Sequence, residues 1–289
     1  MWNINKTLPH ESEWTRPLQN IAKPPSVLRY LGALPSERTP TVAIVGARKP
    51  TAYGEEMTLK FAFELAKCGI IIVSGLALGI DALAHKGALD AGGITIAVLG
   101  NGLPTIYPSR HQSLARRILD NGGAILSEYP ENSPAWPSNF LERNRIVSGL
   151  SDAVLVIEAA ERSGTLSTAA HALEQGRTIF ALPGHITSPL STGCNNLLKQ
   201  GATPATSVDD ILHALKIMPE QSAKSLNTKS RPTTDPESLI FAKLEEGLTD
   251  GDEIMKSLSL PASDFAVAIT MLEIGDFVVS LGANRWSIK

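Results

Sequence analysis

The chain lacks several features that would place it in a well-defined class of proteins. It contains two cysteines in 289 residues, and Cys68 and Cys194 have neither a metal-binding spacing nor the density of a disulfide framework. No apolar run approaches the ~20 residues of a membrane-spanning helix, and the first residues lack the apolar core of a secretory signal. We therefore predict a cytoplasmic protein with reduced thiols that does not bind membranes.

A large excess of charge and recognisable catalytic groups are missing as well. The net charge of −3 excludes a protein that coats nucleic acid by bulk charge, so any anion-binding site has to be local. The sequence has no Walker A lysine, no metal-ligand cluster, no flanking pair of carboxylates and no Cys–His dyad. These absences favour a binding protein over an enzyme, and we predict no catalytic residue, no metal and no cofactor.

What the sequence does have is six short apolar runs, each followed by a loop and separated from the next by a helix-period segment. This alternation is typical of a doubly wound, mostly parallel α/β sheet. Ligands of such folds bind at the carboxyl ends of the strands. We therefore expect the loops to meet in one crevice. The runs begin at Thr41, Ile70, Ile94, Ala124, Ala153 and Thr178.

Changes in composition along the chain predict four segments. The first is Pro-rich and weakly patterned, and we expect it to pack as a leader and not to fold as a domain. The second carries the six runs. The third is polar and rich in Pro, Ser and Thr, as linkers are, and the fourth is predicted to form three short helices and a hairpin. Their bounds are 1–40, 41–217, 218–236 and 237–289.

The order of elements predicted for residues 237–289 is typical of a winged-helix domain. Its third helix carries Asp264 and Glu273 but no Lys or Arg, and the whole segment holds four basic and nine acidic residues. Contact with DNA phosphates needs cations or aligned donors. We therefore expect this tail to bind protein in preference to DNA.

The loop after the first run combines Gly46 with Arg48 at a strand-to-helix junction. Backbone N–H groups at a helix N-terminus, together with a guanidinium group, form an anion site. The spacing is not the G-x-G-x-x-G fingerprint of dinucleotide-binding proteins, because the next glycine is Gly54. The alternative interpretation is that Gly46 serves a tight turn and that Arg48 is solvated.

The loop after the second run places Ser74, Gly75 and Gly79 before Asp81 and His85. An Asp–His dyad with Ser74 as the nucleophile is one interpretation, but Ser74 lacks the G-x-S-x-G pattern of a nucleophile elbow. In the other interpretation Asp81 caps its helix and His85 packs in the core. The sequence leaves both open.

Two further segments suit contacts with phosphates and bases. Arg143 and Arg145 lie near the start of a predicted helix that Trp136 precedes, and aromatic side chains with arginines are typical of single-strand binding sites. The alternative there is a solvated helix start with an Arg–Glu pair. Ser163 and Thr165 follow the fifth run and offer hydroxyls and amides to a ligand, or cap the next helix.

These motifs, taken in order, resemble those of the DNA-processing protein A family (DprA, also called Smf). The resemblance covers about residues 25–215, and the acidic tail is similar to a winged-helix module that many members carry. Several multi-residue motifs in fixed order make the resemblance specific. They are Val45–Gly54, Ser74–His85, Leu126–Pro130, Arg143–Ile146, Glu158-Ala159 with Ser163–Thr165, and Leu182–Gly184.

The resemblance implies a bacterial protein that binds single-stranded DNA, protects incoming strands and loads the RecA recombinase on them during natural transformation. It implies a homodimer formed through the Rossmann-like domain and no chemical reaction. Arg48 would grip phosphate, Gly46 and Ser74-Gly75 would line the pocket, and Arg143 and Arg145 would lie at its rim. The predicted DNA-binding residues are Gly46, Arg48, Thr51, Gly54, Ser74, Gly75, Gly79, Trp136, Arg143, Asn144, Arg145, Ser163, Gly164 and Thr165.

The chain departs from the family pattern upstream of Arg143. Members usually read Phe-Pro-x before the Arg-Asn-Arg motif, whereas this chain has Phe140-Leu141-Glu142. Some members carry a DNA-holding lysine just upstream, and residues 135–138 contain none. The departures imply weaker affinity for DNA, or stacking by Trp136 in place of the lysine.

Two other functions stay open from the sequence. One is a free-nucleotide enzyme or sensor related to nucleoside-monophosphate phosphoribohydrolases, which use a Pro-Gly-Gly-x-Gly-Thr loop followed by a catalytic Glu. Here Ser163-Gly164-Thr165 lacks the preceding Gly-Gly, and no Glu follows until Glu174. The other is a protein-interaction scaffold that docks through its acidic tail.

Overall fold

The structure, a computed structural model, describes residues 3–217, 235–275 and 277–288. The chain divides into two compact units, Met1–Met218 and Pro219–Lys289. Of the predicted linker 218–236, only residues 235 and 236 lie within the described residues. Each unit is taken by itself below.

A nine-stranded sheet forms the centre of the described part of the first unit. The strand order is β1-β2-β6-β5-β4-β3-β7-β8-β9. All neighbours from β6 to β9 pair in parallel, while β2 pairs antiparallel with both β1 and β6. The strands are β1 (Asn5–Thr7), β2 (Leu28–Gly32), β3 (Thr41–Val45), β4 (Ile71–Ser74), β5 (Thr95–Val98), β6 (Ala124–Ser127), β7 (Ala153–Val156), β8 (Thr178–Ala181) and β9 (Thr203–Pro204).

The six apolar runs of the sequence become β3 to β8, which confirms the mostly parallel α/β class. All residues of β3 to β7 are buried, as expected for strands covered by helices on both faces. Helices connect the strands. They are α1 (Ala52–Lys67), α2 (Ile80–Asp90), α3 (Gln112–Asp120), α4 (Pro137–Leu150), α5 (Thr165–Glu174), α6 (Thr192–Lys199) and α7 (Val208–Ala214).

The two faces of the sheet carry separate hydrophobic cores. Phe61 and Leu65 of α1 pack on one face with residues of α2 and α7. Ile146 and Val147 of α4 pack on the other with residues of α5. The helices that follow β3 and β7 therefore lie on opposite faces, although the two strands are neighbours.

Residues 3–40 pack onto this sheet and supply β1 and β2. Trp14 and Leu18, which flank the start of a 3-10 helix (Arg16–Asn20), are fully buried against the α4 face. The indole N–H of Trp14 donates to the hydroxyl of Thr41 at 3.3 Å, at the start of β3. The sequence predicted that this segment packs, but its two strands were not predicted.

The sheet reverses its direction of winding between β3 and β7. From β3 the chain proceeds to β4, β5 and β6 on one side, and then returns to place β7 and β8 on the other. The connections that leave the carboxyl ends of β3 and β7 diverge to opposite faces, which opens a crevice between them. Doubly wound sheets bind their ligands at this switch point.

The second unit consists, in its described residues, of three helices and an antiparallel hairpin. They are α8 (Asp235–Glu245), α9 (Gly251–Leu258), α10 (Ala262–Ile274), β10 (Val278–Gly282) and β11 (Arg285–Ile288). Ile240, Ile254, Phe265 and Leu272 lie in its core. The Asp250 carboxylate caps α9 by accepting from the amides of the second and third residues after it.

No single helix in the described ranges is long and apolar enough to cross a membrane. Helices α9 and α10 satisfy length and composition only as a pair, and that pair is bent by 118°.

Candidate functional site

A cleft of about 470 Å³ lies at the switch point between β3 and β7. The loop after β3 forms one wall with residues 46–49, and the loop after β7 forms another with Ala160 and residues 162–164. The start of α4 and the loop after β4 complete it. Four separate segments of the sequence therefore meet at the carboxyl ends of the parallel strands, as the alternation of runs and loops predicted.

Three exposed cations surround this cleft. Arg48, Lys49 and Arg162 are exposed and line it. Their side chains make no hydrogen bond or ion pair with any residue in 3–217, 235–275 or 277–288. Among the described residues that line the cleft, Asp81 is the one acidic side chain, against four basic ones. The cleft is therefore electropositive, and we call Arg48, Lys49 and Arg162 the exposed trio.

Hydrogen bonds fix the walls of the cleft relative to one another. The Thr165 hydroxyl donates to the Gly46 carbonyl at 3.0 Å, which ties α5 to the loop after β3. The Asn144 amide donates to the Ser167 hydroxyl at 2.8 Å, which ties α4 to α5. The Ser163 hydroxyl accepts from the Thr165 amide at 3.2 Å, as a cap would. The cleft is preorganised by its own polar groups.

Gly79 brings a third wall close. Its φ of +74° belongs to the region that glycine adopts most readily. A Cβ at this position would collide with the Ala47 carbonyl oxygen and the Arg48 backbone. The loop after β4 can therefore lie directly on the loop after β3, and Gly79 acts on the site through the backbone alone.

A buried polar layer lies beneath the exposed trio. Arg143 is 4% exposed, and its guanidinium group donates to the Gly75 carbonyl at 2.8 Å and to the Val98 carbonyl. The Asp81 carboxylate accepts from the backbone amides of Gly75 at 3.1 Å and Ala77 at 3.3 Å. Burial raises the pKa of Asp81 and lowers that of Arg143, while the attraction between the two opposes both shifts.

Arg145 belongs to the same layer. It is 7% exposed, and its guanidinium group forms a two-pronged ion pair with the Glu128 carboxylate at 2.8 and 2.6 Å. Glu128 follows β6, so this pair joins α4 to the neighbouring part of the sheet edge. We call Asp81, His85, Arg143 and Arg145 the buried layer.

The expectation that Arg143 and Arg145 lie at the rim of the pocket is wrong. The sequence placed them in the first turn of a helix, where both could reach outward. Helix α4 instead begins at Pro137, so Arg143 is its seventh residue and its side chain reaches the sheet. The alternative interpretation, a solvated helix start, is wrong as well, because Arg145 is buried and pairs with Glu128 after β6.

His85 is a packing residue. It is fully buried, and its Nδ1 lies 2.7 Å from the Thr95 hydroxyl. That hydroxyl donates to the Ile72 carbonyl, so the His85 Nδ1–H is the donor to Thr95. Burial lowers the pKa of His85 to about 3. Among the described residues it forms no hydrogen bond with Asp81, so the Asp–His dyad is not supported.

The remaining loop residues serve the framework. Ser74 is buried and its hydroxyl donates to the Ile44 carbonyl at 2.7 Å, so it is no free nucleophile. Thr51 donates to the Glu158 carboxylate at 2.5 Å and also caps α1. A Cβ at Gly54 would collide with the same carboxylate. Trp136 is 60% exposed at the N-cap of α4, outside the cleft lining.

Half of the predicted DNA-binding residues are thus brought together. Those that line the cleft are Gly46, Arg48, Arg143, Asn144, Ser163, Gly164 and Thr165. The other predicted residues do not line the cleft, so the expectation that all of them share one pocket is wrong. They support the walls of the cleft or lie elsewhere in the fold. These are Thr51, Gly54, Ser74, Gly75, Gly79, Trp136 and Arg145.

Sequence reasoning missed Lys49, Arg162 and Phe140 as cleft residues. Lys49 and Arg162 are direct neighbours of predicted residues in the same loops, so the motif itself carried the signal. Phe140 gave no signal by type or spacing that separates it from a core residue. Within the described ranges, no group of three His, Cys, Asp or Glu could hold a metal ion.

Comparison with known proteins bears on this geometry. The family model described as DNA recombination-mediator protein A matches residues 5–216. The chain belongs to this family, the DprA/Smf family. Protein Smf of Escherichia coli is 42% identical over 282 residues, which cover 95% of this chain and 75% of that protein. DNA processing protein DprA of Streptococcus pneumoniae is 42% identical over 195 residues, 68% of each chain.

Two solved DprA structures share the fold. DprA from Streptococcus pneumoniae aligns with a TM-score of 0.66 and 39% identity over 73% of this chain and 74% of that one. DprA from Helicobacter pylori, solved to describe its single-stranded DNA binding mode, aligns with a TM-score of 0.64 and 33% identity. That alignment covers 74% of this chain and 96% of the Helicobacter chain.

Proposed function

We propose that this DprA/Smf protein is a cytoplasmic recombination mediator that binds single-stranded DNA in the cleft between β3 and β7 and carries out no chemistry on it. The observation that carries the proposal is the exposed trio: three cations around a preformed cleft, none of them bound to a side chain or backbone group of the described residues. Phosphate is the ligand that such a group of donors suits best. Its relative from Helicobacter pylori supports single-stranded DNA as the source of that phosphate.

Backbone groups strengthen the same preference. Helices α1 and α5 both begin at the cleft side of the sheet, after the loops that form its walls. Their first amides have no partner within the helix and carry the positive end of its dipole. Gly164, which is exposed in the wall after β7, adds no side chain that would narrow the cleft.

Asp81 is the one carboxylate among the described residues that line the cleft, which argues against nucleotide hydrolysis. Asp81 is buried, its carboxylate accepts hydrogen bonds from two backbone amides, and it is attracted by the positive charge of Arg143. Incubation with AMP, followed by separation of any released base, tests this directly. Release of base would contradict a purely binding role.

We further propose that the protein forms a homodimer through its Rossmann-like unit, protects incoming strands and loads RecA on them in natural transformation. Family membership supports these steps. We propose that the second unit is a winged helix that binds protein. Its third helix, α10, exposes Val267, Met271 and Ile274, which are 66%, 50% and 73% exposed. An apolar, acid-flanked surface suits a protein partner better than phosphate.

Arg48→Ala tests the binding site. We expect the variant to bind a fluorescent single-stranded oligonucleotide more weakly by about 1–3 kcal/mol, because one charge-assisted contact with phosphate is lost. Fluorescence anisotropy at fixed salt measures the change. The unfolding free energy of the variant should equal that of the wild type, since Arg48 has no hydrogen bond or ion pair with the described residues.

Arg16→Ala is the matched control. Arg16 is an exposed arginine two residues after Trp14, which bonds to Thr41 at the amino end of β3, whereas the cleft lies at the carboxyl ends of the strands. Its ion pair with Glu13 is a long one of 3.8 Å. It should bind DNA as the wild type does. Equal affinity of the Arg48→Ala protein and the wild type would contradict the proposed site.

A variant that lacks residues 237–289 tests the role assigned to the tail. Single-stranded DNA affinity should stay within about twofold of the full chain, because the exposed trio is retained. Loading of RecA, followed as strand exchange, should fall if the tail docks a protein. Loss of DNA affinity with unchanged RecA loading would show the reverse assignment.

A further inference from the structure

A pair of aromatic rings, half-buried Phe140 and exposed Tyr107, borders the cleft on the side of β5. Tyr107 lies in the connection between β5 and α3, and its ring centroid is 5.4 Å from that of Phe140, with the planes inclined by 32°. Phe140 lines the cleft, whereas Tyr107 is 49% exposed. The pair therefore extends the wall of the cleft as an aromatic surface that is open to solvent.

The surroundings hold this ring pair in place. Phe140 packs on Gly100, where a Cβ would meet the Phe140 ring at 2.8 Å. Nδ1 of His111 lies 2.8 Å from the Leu76 carbonyl oxygen, which ties the segment that carries Tyr107 to the loop after β4. The rings are thus fixed relative to the cleft by packing on one side and a hydrogen bond on the other.

The polar groups of the Tyr107 and Arg110 side chains have no partner among the described residues. The Tyr107 hydroxyl forms no hydrogen bond with any described residue. Arg110 is also exposed, and its side chain has no hydrogen bond or ion pair within the same described ranges. An aromatic face with a free guanidinium three residues away is the combination by which proteins stack bases and track the backbone of a single strand.

We propose that the Tyr107–Phe140 ring pair is a stacking shelf for a nucleobase of the strand held in the cleft, and that Arg110 contacts the phosphate beyond it. This inference rests on the proposed function and adds to it the direction in which the DNA strand runs across the sheet edge. The strand would run along the carboxyl ends of β3, β4 and β5, which are consecutive neighbours in the sheet. Stacking on a ring face accepts any base, so the shelf adds affinity without sequence preference.

A pair of oligonucleotides with the same backbone separates stacking from phosphate binding. One is an eight-nucleotide oligothymidine, and the other is an eight-unit abasic strand. Tyr107→Ala should weaken binding of oligothymidine by about 5- to 150-fold, the range for loss of one stacked base. It should leave the affinity for the abasic strand unchanged, which also shows that the variant is folded and that its cleft is intact. Tyr107→Phe keeps the ring and should bind both strands as the wild type does.

Arg48→Ala gives the opposite pattern, since it should weaken both strands by the same factor. Equal affinities of the Tyr107→Ala protein and the wild type for oligothymidine would overturn the shelf, as would an equal loss for both strands. Wild-type protein that binds neither strand would overturn the proposed function itself.

Discussion

Two groups of charged residues, the exposed trio around the cleft and the buried layer beneath it, differ in their exposure to solvent and in their hydrogen bonds. The exposed trio is solvated and has no hydrogen bond or ion pair within the described residues. The buried layer is desolvated, and each of its guanidinium groups is committed to the protein, that of Arg143 to two carbonyls and that of Arg145 to Glu128. We therefore assign the same residue type, arginine, a proposed ligand role in the exposed trio and a structural role in the buried layer.

The difference teaches that charge near a phosphate site is not by itself a measure of phosphate binding. A guanidinium whose donors are already used by carbonyls or a carboxylate gains little from a ligand. Its positive charge still contributes to the potential of the cleft above it. We therefore expect changes in the buried layer to appear in stability, and changes in the exposed trio to appear in affinity.

Arg143→Met should produce the largest effect, a loss of about 3–5 kcal/mol in the free energy of unfolding. The variant leaves the Asp81 carboxylate buried without its counter-charge and the carbonyls of Gly75 and Val98 without a donor. Urea denaturation followed by circular dichroism measures it. The double variant Arg143→Met with Asp81→Asn should recover part of the loss, because both charges are then removed.

Wild-type stability in Arg143→Met would show that this arginine is not a structural brace. If the loss of unfolding free energy in the double variant equals the sum of the losses in the two single variants, Arg143 and Asp81 do not interact.

Low pH should reduce the free energy of unfolding by a smaller amount, because His85 takes up a proton in the unfolded chain. Its pKa is about 3 in the folded protein and 6.5 in the unfolded chain, so only the unfolded chain takes up a proton as the pH falls below 6.5. The stabilising contribution is complete above pH 6.5 and declines toward pH 3. Between pH 7 and pH 5 the loss should be about 2 kcal/mol, at 1.36 kcal/mol per pH unit.

His85→Gln is the matched control for this pH dependence, since a glutamine amide can still donate to Thr95 and does not titrate. The unfolding free energy of that variant should change less between pH 7 and pH 5, by the 2 kcal/mol assigned to His85. Identical pH profiles for the two proteins would exclude His85 as the group responsible.

The sequence predicted the sheet and the meeting of loops because both follow from local patterns. Apolar runs bounded by Gly-rich loops report strands that are buried on both faces. Ligands of such sheets bind at the carboxyl ends of the strands, so the loops that carry Gly46, Arg48 and Thr165 could be expected to meet at one crevice.

The sequence could not predict that Arg48 is exposed while Arg143 and Arg145 are buried, because the burial of the latter two depends on where α4 begins. A shift of a few residues in the start of the helix decides whether Arg143 reaches solvent or the Gly75 carbonyl, and helix starts are the least certain feature of a sequence pattern. The pairing of Arg145 with Glu128 likewise joins positions that only the sheet brings together. Strand β1 escaped prediction since it is three residues long and lies at the edge of the sheet. Strand β2, which lies between β1 and β6, escaped it since its apolar run is interrupted by Arg29.

The salt dependence of DNA binding tests most directly whether the exposed trio holds the strand. We compare the wild type with the triple variant Arg48→Ala, Lys49→Ala and Arg162→Ala. The affinity of each protein for one oligonucleotide should be measured from about 50 to about 300 mM salt. Each phosphate contact with a single strand contributes about 0.7 to the slope of log K against log salt. The slope of the triple variant should be shallower by about 2. Equal slopes would contradict phosphate binding by these three side chains.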